Sequence, residues 1–111
     1  MTSISASEYW EYAMEIIRHA MRRPSMYFKT LNELEALMGG HAAAFQQLRV
    51  IERDAAFSSA FSEWIMTTTG ESCAAGWAYA IEQIAMREGN EVVTVFQRLA
   101  KDFDEWRQAM T

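Results

Sequence analysis

Cys73, His19 and His41 are the residues with the types needed for nucleophilic catalysis. A cysteine nucleophile needs a base within hydrogen-bond reach to draw off its proton. Nothing in the spacing puts either histidine beside Cys73. Unpaired cysteines are among the most buried residue types, so Cys73 reads as packing. His41 falls on the apolar stripe of a predicted helix, where a hydrogen-bonded core histidine is expected. His19 follows Glu15 by four residues, a pairing that supports a helix. The Glu-x-x-His motif of di-iron bundles is absent, and two histidines are few for any other metal centre. One cysteine can form neither an intramolecular disulfide nor a cysteine zinc site. Gly39-Gly40 lacks the Lys-Ser/Thr of a phosphate-cradling loop. No catalytic residue, metal or cofactor is assigned, and the chain is not expected to be an enzyme.

Carboxylates offer different chemistry. Asp102, Asp104 and Glu105 cluster in "DFDE", on the outward face of the last predicted helix. With Glu71, Glu82 and Glu88 they could form an acidic face that steers a cationic partner, which speeds association more than it tightens it. A simple solvated surface is the alternative. The whole chain leans the same way, with 15 acidic against 10 basic residues and a net charge of −5. That balance disfavours nucleic acid, whose phosphates call for clustered Lys and Arg.

These residues must be positioned by helices. Ser5 and Glu8 form a capping box, and Trp10, Ala13, Met14, Ile17 and Met21 then recur at helical spacing. Arg18, Arg22 and Arg23 crowd the end of this first helix, where positive charge complements the dipole. Pro24 stops it, because the residue before a proline is pushed away from helical dihedrals. Thr30 and Glu33 repeat the capping device for a second helix carrying Leu34, Met38, His41, Phe45 and Leu48. Gly39-Gly40 interrupts it, implying a kink or a helix passing close to bare backbone; the small residues that follow favour close packing. Phe57, Phe61, Trp64 and Ile65 mark a third helix ending near Gly70. Trp77, Ile81, Ile84 and Ala85 mark a fourth, closed by Gly89. Asn90 caps a fifth, in which Val92, Val95, Phe96, Leu99, Phe103, Trp106 and Met110 keep step; "EVVTVF" is read as its first turns, with a short strand as the alternative.

The expected architecture is all-α, a single bundle of about five helices over residues 1–111. No apolar run approaches the roughly 18 residues of a membrane span, and "MTSISASEYW" lacks the features of a signal peptide. No membrane partner is expected, and a reducing cytoplasm is the expected compartment.

The one proline lies in "RRPSMYF". Arg23-Pro24-Ser25-Met26-Tyr27 is similar to a phrase before the nucleotide pocket of type II topoisomerases, but the Glu-x-x-Asp-Asn helix that would hold magnesium is missing. A wider resemblance covers most of the chain. A basic-ended helix leads into Arg23, Pro24, Met26, Tyr27 and Phe28. The Leu-rich "LEALMGGHAAAF", the "FSEWI" helix, the pair Gly76-Trp77 and an acidic last helix follow. This order resembles small helical immunity proteins of bacterial contact-dependent growth inhibition systems. Lys29 departs from it, where such proteins often have glycine after the aromatic pair.

The resemblance implies a cognate toxin domain as partner, basic and of nuclease type; one such system carries a toxin similar to ribonuclease A. The residues implied for binding are Asp102, Asp104, Glu105, Glu71 and Glu82, with an exposed aromatic as anchor. Arg23, Pro24, Met26, Tyr27, Phe28, Gly76 and Trp77 are expected to build the scaffold, with Met26, Tyr27 and Phe28 plugging the end of the bundle. The runner-up is a helical interaction module or homodimer unrelated to toxins. A small enzyme with His41 and Cys73 in one pocket comes third.

Overall fold

The computed structural model describes residues 5–110; the first four residues, part of the segment read for a signal peptide, and Thr111 lie outside the described residues. Among the described residues six α-helices follow one another: α1 (Ala6–Arg22), α2 (Pro24–Tyr27), α3 (Leu31–Gln47), α4 (Phe57–Thr69), α5 (Trp77–Glu88) and α6 (Val92–Ala109), with a 3-10 turn at Arg53–Ala55 before α4. No strand occurs among the described residues, so "EVVTVF" is helical from Val92 onward. α6 lies against α1, α4 and α5, while α3 packs on α1, α4 and α5.

The start of α1 is capped as its sequence predicts: the Glu8 N–H donates to Ser5 Oγ at 3.2 Å. Its buried face is Tyr9, Ala13, Met14, Ile17 and Ala20. Trp10 and Met21 only border the core. Tyr9 takes the deeper place because its hydroxyl accepts the Phe57 N–H at 2.8 Å, so a side chain of α1 satisfies the first free donor of α4.

Pro24 ends one helix and begins another. The Arg23 N–H closes α1 onto the His19 carbonyl at 2.9 Å, and Pro24 then occupies the first position of α2, where its missing N–H costs nothing. This extra turn is the difference between five expected helices and six. Of the three residues expected to plug the bundle, only Phe28 is buried, edge-on to Phe96 at 5.7 Å. Tyr27 is half-buried, and Met26 is 69% exposed.

Other starts and ends differ in detail. Thr30 makes no side-chain cap; the Glu33 carboxylate instead accepts the Lys29 N–H at 3.0 Å. Gly70 and Gly89 close α4 and α5 with positive φ angles of 78° and 73°, as glycine does at helix ends. Asn90 belongs to the end of α5, its N–H bonded to the Ala85 carbonyl, and Glu91 stands at the cap of α6. The expected close packing on Gly39-Gly40 is not found. α3 runs unbroken through both, and a Cβ added at either would meet nothing within 4 Å. In α6 the apolar stripe is buried from Val95 to Phe103, but Trp106 and Met110 emerge into solvent.

Candidate functional site

The carboxylates expected to bind a partner fall into two groups. Asp104 and Glu71 are engaged with arginines of the chain itself. Arg18 grips Asp104 bidentately, Nε to Oδ2 and Nη2 to Oδ1, both at 2.8 Å. That hydrogen-bonded guanidinium holds the Asp104 carboxyl below the usual aspartate range. Glu71 accepts from Arg87 at 2.7 Å. Glu88 likewise pairs with Arg98 through two 2.9 Å bonds.

The second group is more open. Asp102 and Glu105 are exposed on α6, and Glu105 has Lys101 at 4.0 Å, with both side chains mostly in water. Glu82 is partly buried on α5. Asp102, Glu105 and Trp106 stand at i, i+3 and i+4, so they share one face of α6. Trp106 is 45% exposed, and its ring stacks on buried Phe103 at 5.9 Å. The stack holds an apolar anchor in place beside the two carboxylates.

Gly76 and Trp77 form a structural junction. Trp77 is fully buried, and its indole N–H donates to Ser58 Oγ at 3.1 Å. The N-terminus of α5 is capped from α3: Glu35 Oε2 accepts the backbone N–H groups of Trp77 at 2.7 Å and Ala78 at 3.3 Å. A Cβ at Gly76 would lie 2.7 Å from both Glu35 oxygens, and its φ of 100° already disfavours other residues.

Cys73 is part-buried in the segment before α5, and burial pushes its thiol up. No hydrogen bond joins it to either histidine among the described residues. His19 and His41 instead border one groove with Tyr12, Glu15, Ile16 and Tyr27. The His19 Nδ1 lies 3.1 Å from the Tyr27 hydroxyl, a contact the Glu15 spacing did not suggest. His41 stacks on Tyr9 at 5.5 Å, but its buried Nδ1 has no hydrogen-bond partner among the described residues, against the expected bonded core histidine. Burial lowers its pKa from the usual 6.5. No cluster of three His, Cys, Asp or Glu that could hold a metal occurs among the described residues. No described helix is long and apolar enough to cross a membrane.

A further polar groove between α1 and α6 was not foreseen. Arg107 sits 3.5 Å from the centre of the Trp10 ring, next to the Arg18–Asp104 pair, in a depression of about 320 Å³. Only the preference of arginine for tryptophan faces could have suggested this contact, and no sequence spacing joins residues so far apart.

The fold and this surface define an all-helical protein with a mixed acidic and aromatic face on its last helix. Compared with protein-family models, curated proteins and solved structures, the chain matches none of them.

Proposed function

We propose that this chain is an immunity protein that binds and neutralises a basic bacterial toxin domain of nuclease type. The observation supporting this reading is the outer face of α6, where exposed Asp102 and Glu105 lie to one side of the half-exposed, stacked Trp106. A fixed aromatic surrounded by charge is a common form of binding hot spot. Carboxylates complement the phosphate-binding cleft of a nuclease, which is itself cationic. Asp104 and Glu71 contribute by fixing the surface, since each already holds an arginine.

Co-expression with the C-terminal domain encoded by the adjacent upstream gene tests this reading. The wild-type chain rescues growth, whereas Asp102→Lys/Glu105→Lys weakens binding and removes most of its salt dependence. Rescue that survives this double reversal together with Trp106→Ala sinks the assignment of the surface. Absence of rescue by the wild-type chain sinks the toxin reading.

A homodimer is the second reading, favoured by Leu37 of α3 and Leu48 at its C-terminal cap, which are 44% and 65% exposed. A dimer detected by light scattering at low micromolar concentration, lost on Leu37→Lys, supports it.

A further inference from the structure

We propose that the cleft at the C-terminal end of α1, with the groove beside it, binds a nucleoside monophosphate, a phosphate monoester joined through a sugar to an aromatic base. The cleft, about 270 Å³, is lined by His19, Arg22, Arg23, Met26 and Tyr27. A second groove of about 400 Å³ adjoins it and shares His19 and Tyr27, adding Tyr12, Ile16 and His41. The two border on the His19–Tyr27 pair, and taken together as one trough they have a cationic end and an aromatic end.

The cationic end brings Arg22 and Arg23 to one cleft in a protein with an excess of acid. Among the described residues Arg18, Arg87, Arg98 and Lys101 each have a carboxylate within 4.0 Å, and Arg22 and Arg23 are among the cations that do not. Arg22 is anchored through its Nε, 3.4 Å from the Arg18 carbonyl, which leaves both terminal nitrogens to donate elsewhere. Arg22 and Arg23 both line the cleft, and guanidinium forks match the oxygens of a phosphate dianion. When the Tyr27 hydroxyl donates to His19 Nδ1, the neutral imidazole carries its proton on Nε2 and adds a further donor. Complementing the dipole of α1 needs only charge near the helix end. It does not require two arginines, a histidine and a tyrosine to converge on a concave surface.

The aromatic end sets the orientation. Tyr12 is 52% exposed there, offering a ring face for stacking. Glu15 also borders that end and repels an anion, so the phosphate lies by Arg22 and Arg23 and the ring by Tyr12. The net charge of −5 opposes any long polyanion, which favours a small ligand over a nucleic acid strand.

The test is backbone amide NMR on the whole chain, titrated separately with inorganic phosphate, ribose 5-phosphate, AMP and adenosine. No toxin partner is present, so its outcome is independent of the proposed function. Saturable shifts are expected at His19, Arg22, Arg23 and Tyr27, with AMP at least about tenfold tighter than either inorganic phosphate or adenosine. Arg22→Gln/Arg23→Gln should raise the AMP dissociation constant at least about tenfold, with an unchanged circular dichroism spectrum. No saturable shift up to about 5 mM AMP, or shifts confined to another surface, would overturn the site. Equal affinity for AMP and inorganic phosphate would overturn the aromatic half of the trough, and so the proposal as stated.

Discussion

At Gly76, two constraints act on one atom. The positive φ disfavours any side chain, and the Glu35 carboxylate fills the space a Cβ would need. Glu35 is there because it accepts two backbone N–H groups of α5, acting as a cap supplied by another helix. Glu35→Ala should therefore cost about 2 kcal/mol, since it frees charge-assisted bonds at a part-buried helix end. Gly76→Ala should also destabilise, by about 1–3 kcal/mol from backbone strain plus the clash. Combined, the two changes should cost less than their sum, because removing the carboxylate removes the clash. Urea midpoints of the four proteins measure this coupling, and strict additivity would refute it. Acidification provides a second residue-scale test. Burial lowers His41 and the Arg18 bonds lower Asp104, so at both sites the unfolded chain takes up the proton more readily. Stability is therefore lost as the pH falls, first below about 6.5 through His41 and then below about 3.8 through Asp104. Asp104→Asn should flatten the lower limb alone and cost about 1 kcal/mol at neutral pH, as expected for a partly solvated pair. Stability measured at pH 7, 5 and 3 tests both limbs; an unchanged acid limb in Asp104→Asn would exclude this pair as its cause. Gly76 and Trp77 stand out in the sequence as a pair. Glu35 could not be read as their partner, because the two sites are 42 residues apart and no local pattern joins them.

Among the elements, α3 shows most directly how a local pattern can mislead. Gly39, Gly40 and the alanines after them suggest a crossing helix, yet that face of α3 is open within the chain. Both glycines sit in a continuous helix with no neighbour to clash, so alanine at either position keeps the backbone and loses less entropy on folding. Gly39→Ala and Gly40→Ala should each stabilise by about 0.5–1 kcal/mol, read as a higher urea midpoint with an unchanged slope. A loss of stability would show that this face is packed in solution. The long helices were legible because their apolar periodicity and terminal glycines act within one element. α2 was not: four residues are too few to show a period, and Pro24 signals a stop as strongly as a start. The burial of Tyr9 in place of Trp10 was hidden for another reason. Both rings are apolar at adjacent positions, and the contacts that hold Tyr9 inward, the bond from Phe57 and the rings of His41 and Phe45, come from other helices.

The whole molecule is organised around aromatic rings contributed by separate helices. Phe103 of α6 meets Phe57, Phe61 and Trp64 of α4 with ring centres 5.1–5.7 Å apart, and Trp106 covers its outer side. Individual helices of this length are marginal alone, so their stability depends on such contacts. The sequence made the burial reserve visible in its composition, but could not show which aromatic residue faces outward at the end of a continuous stripe. That distinction separates core from binding surface. Phe103→Ala should cost about 3–5 kcal/mol, a large part of the roughly 5–15 kcal/mol available to a domain. Trp106→Ala removes a ring 45% exposed to water and should cost about 1 kcal/mol, mostly from the lost stack. Binding should respond in the opposite order: Trp106→Ala weakens capture of the basic toxin domain while leaving the chain folded. Chemical denaturation and binding measured on the same two variants separate these effects. If Trp106→Ala proves as destabilising as Phe103→Ala, Trp106 is a core residue and α6 loses its anchor. If it alters neither stability nor binding, the partner contacts a different surface.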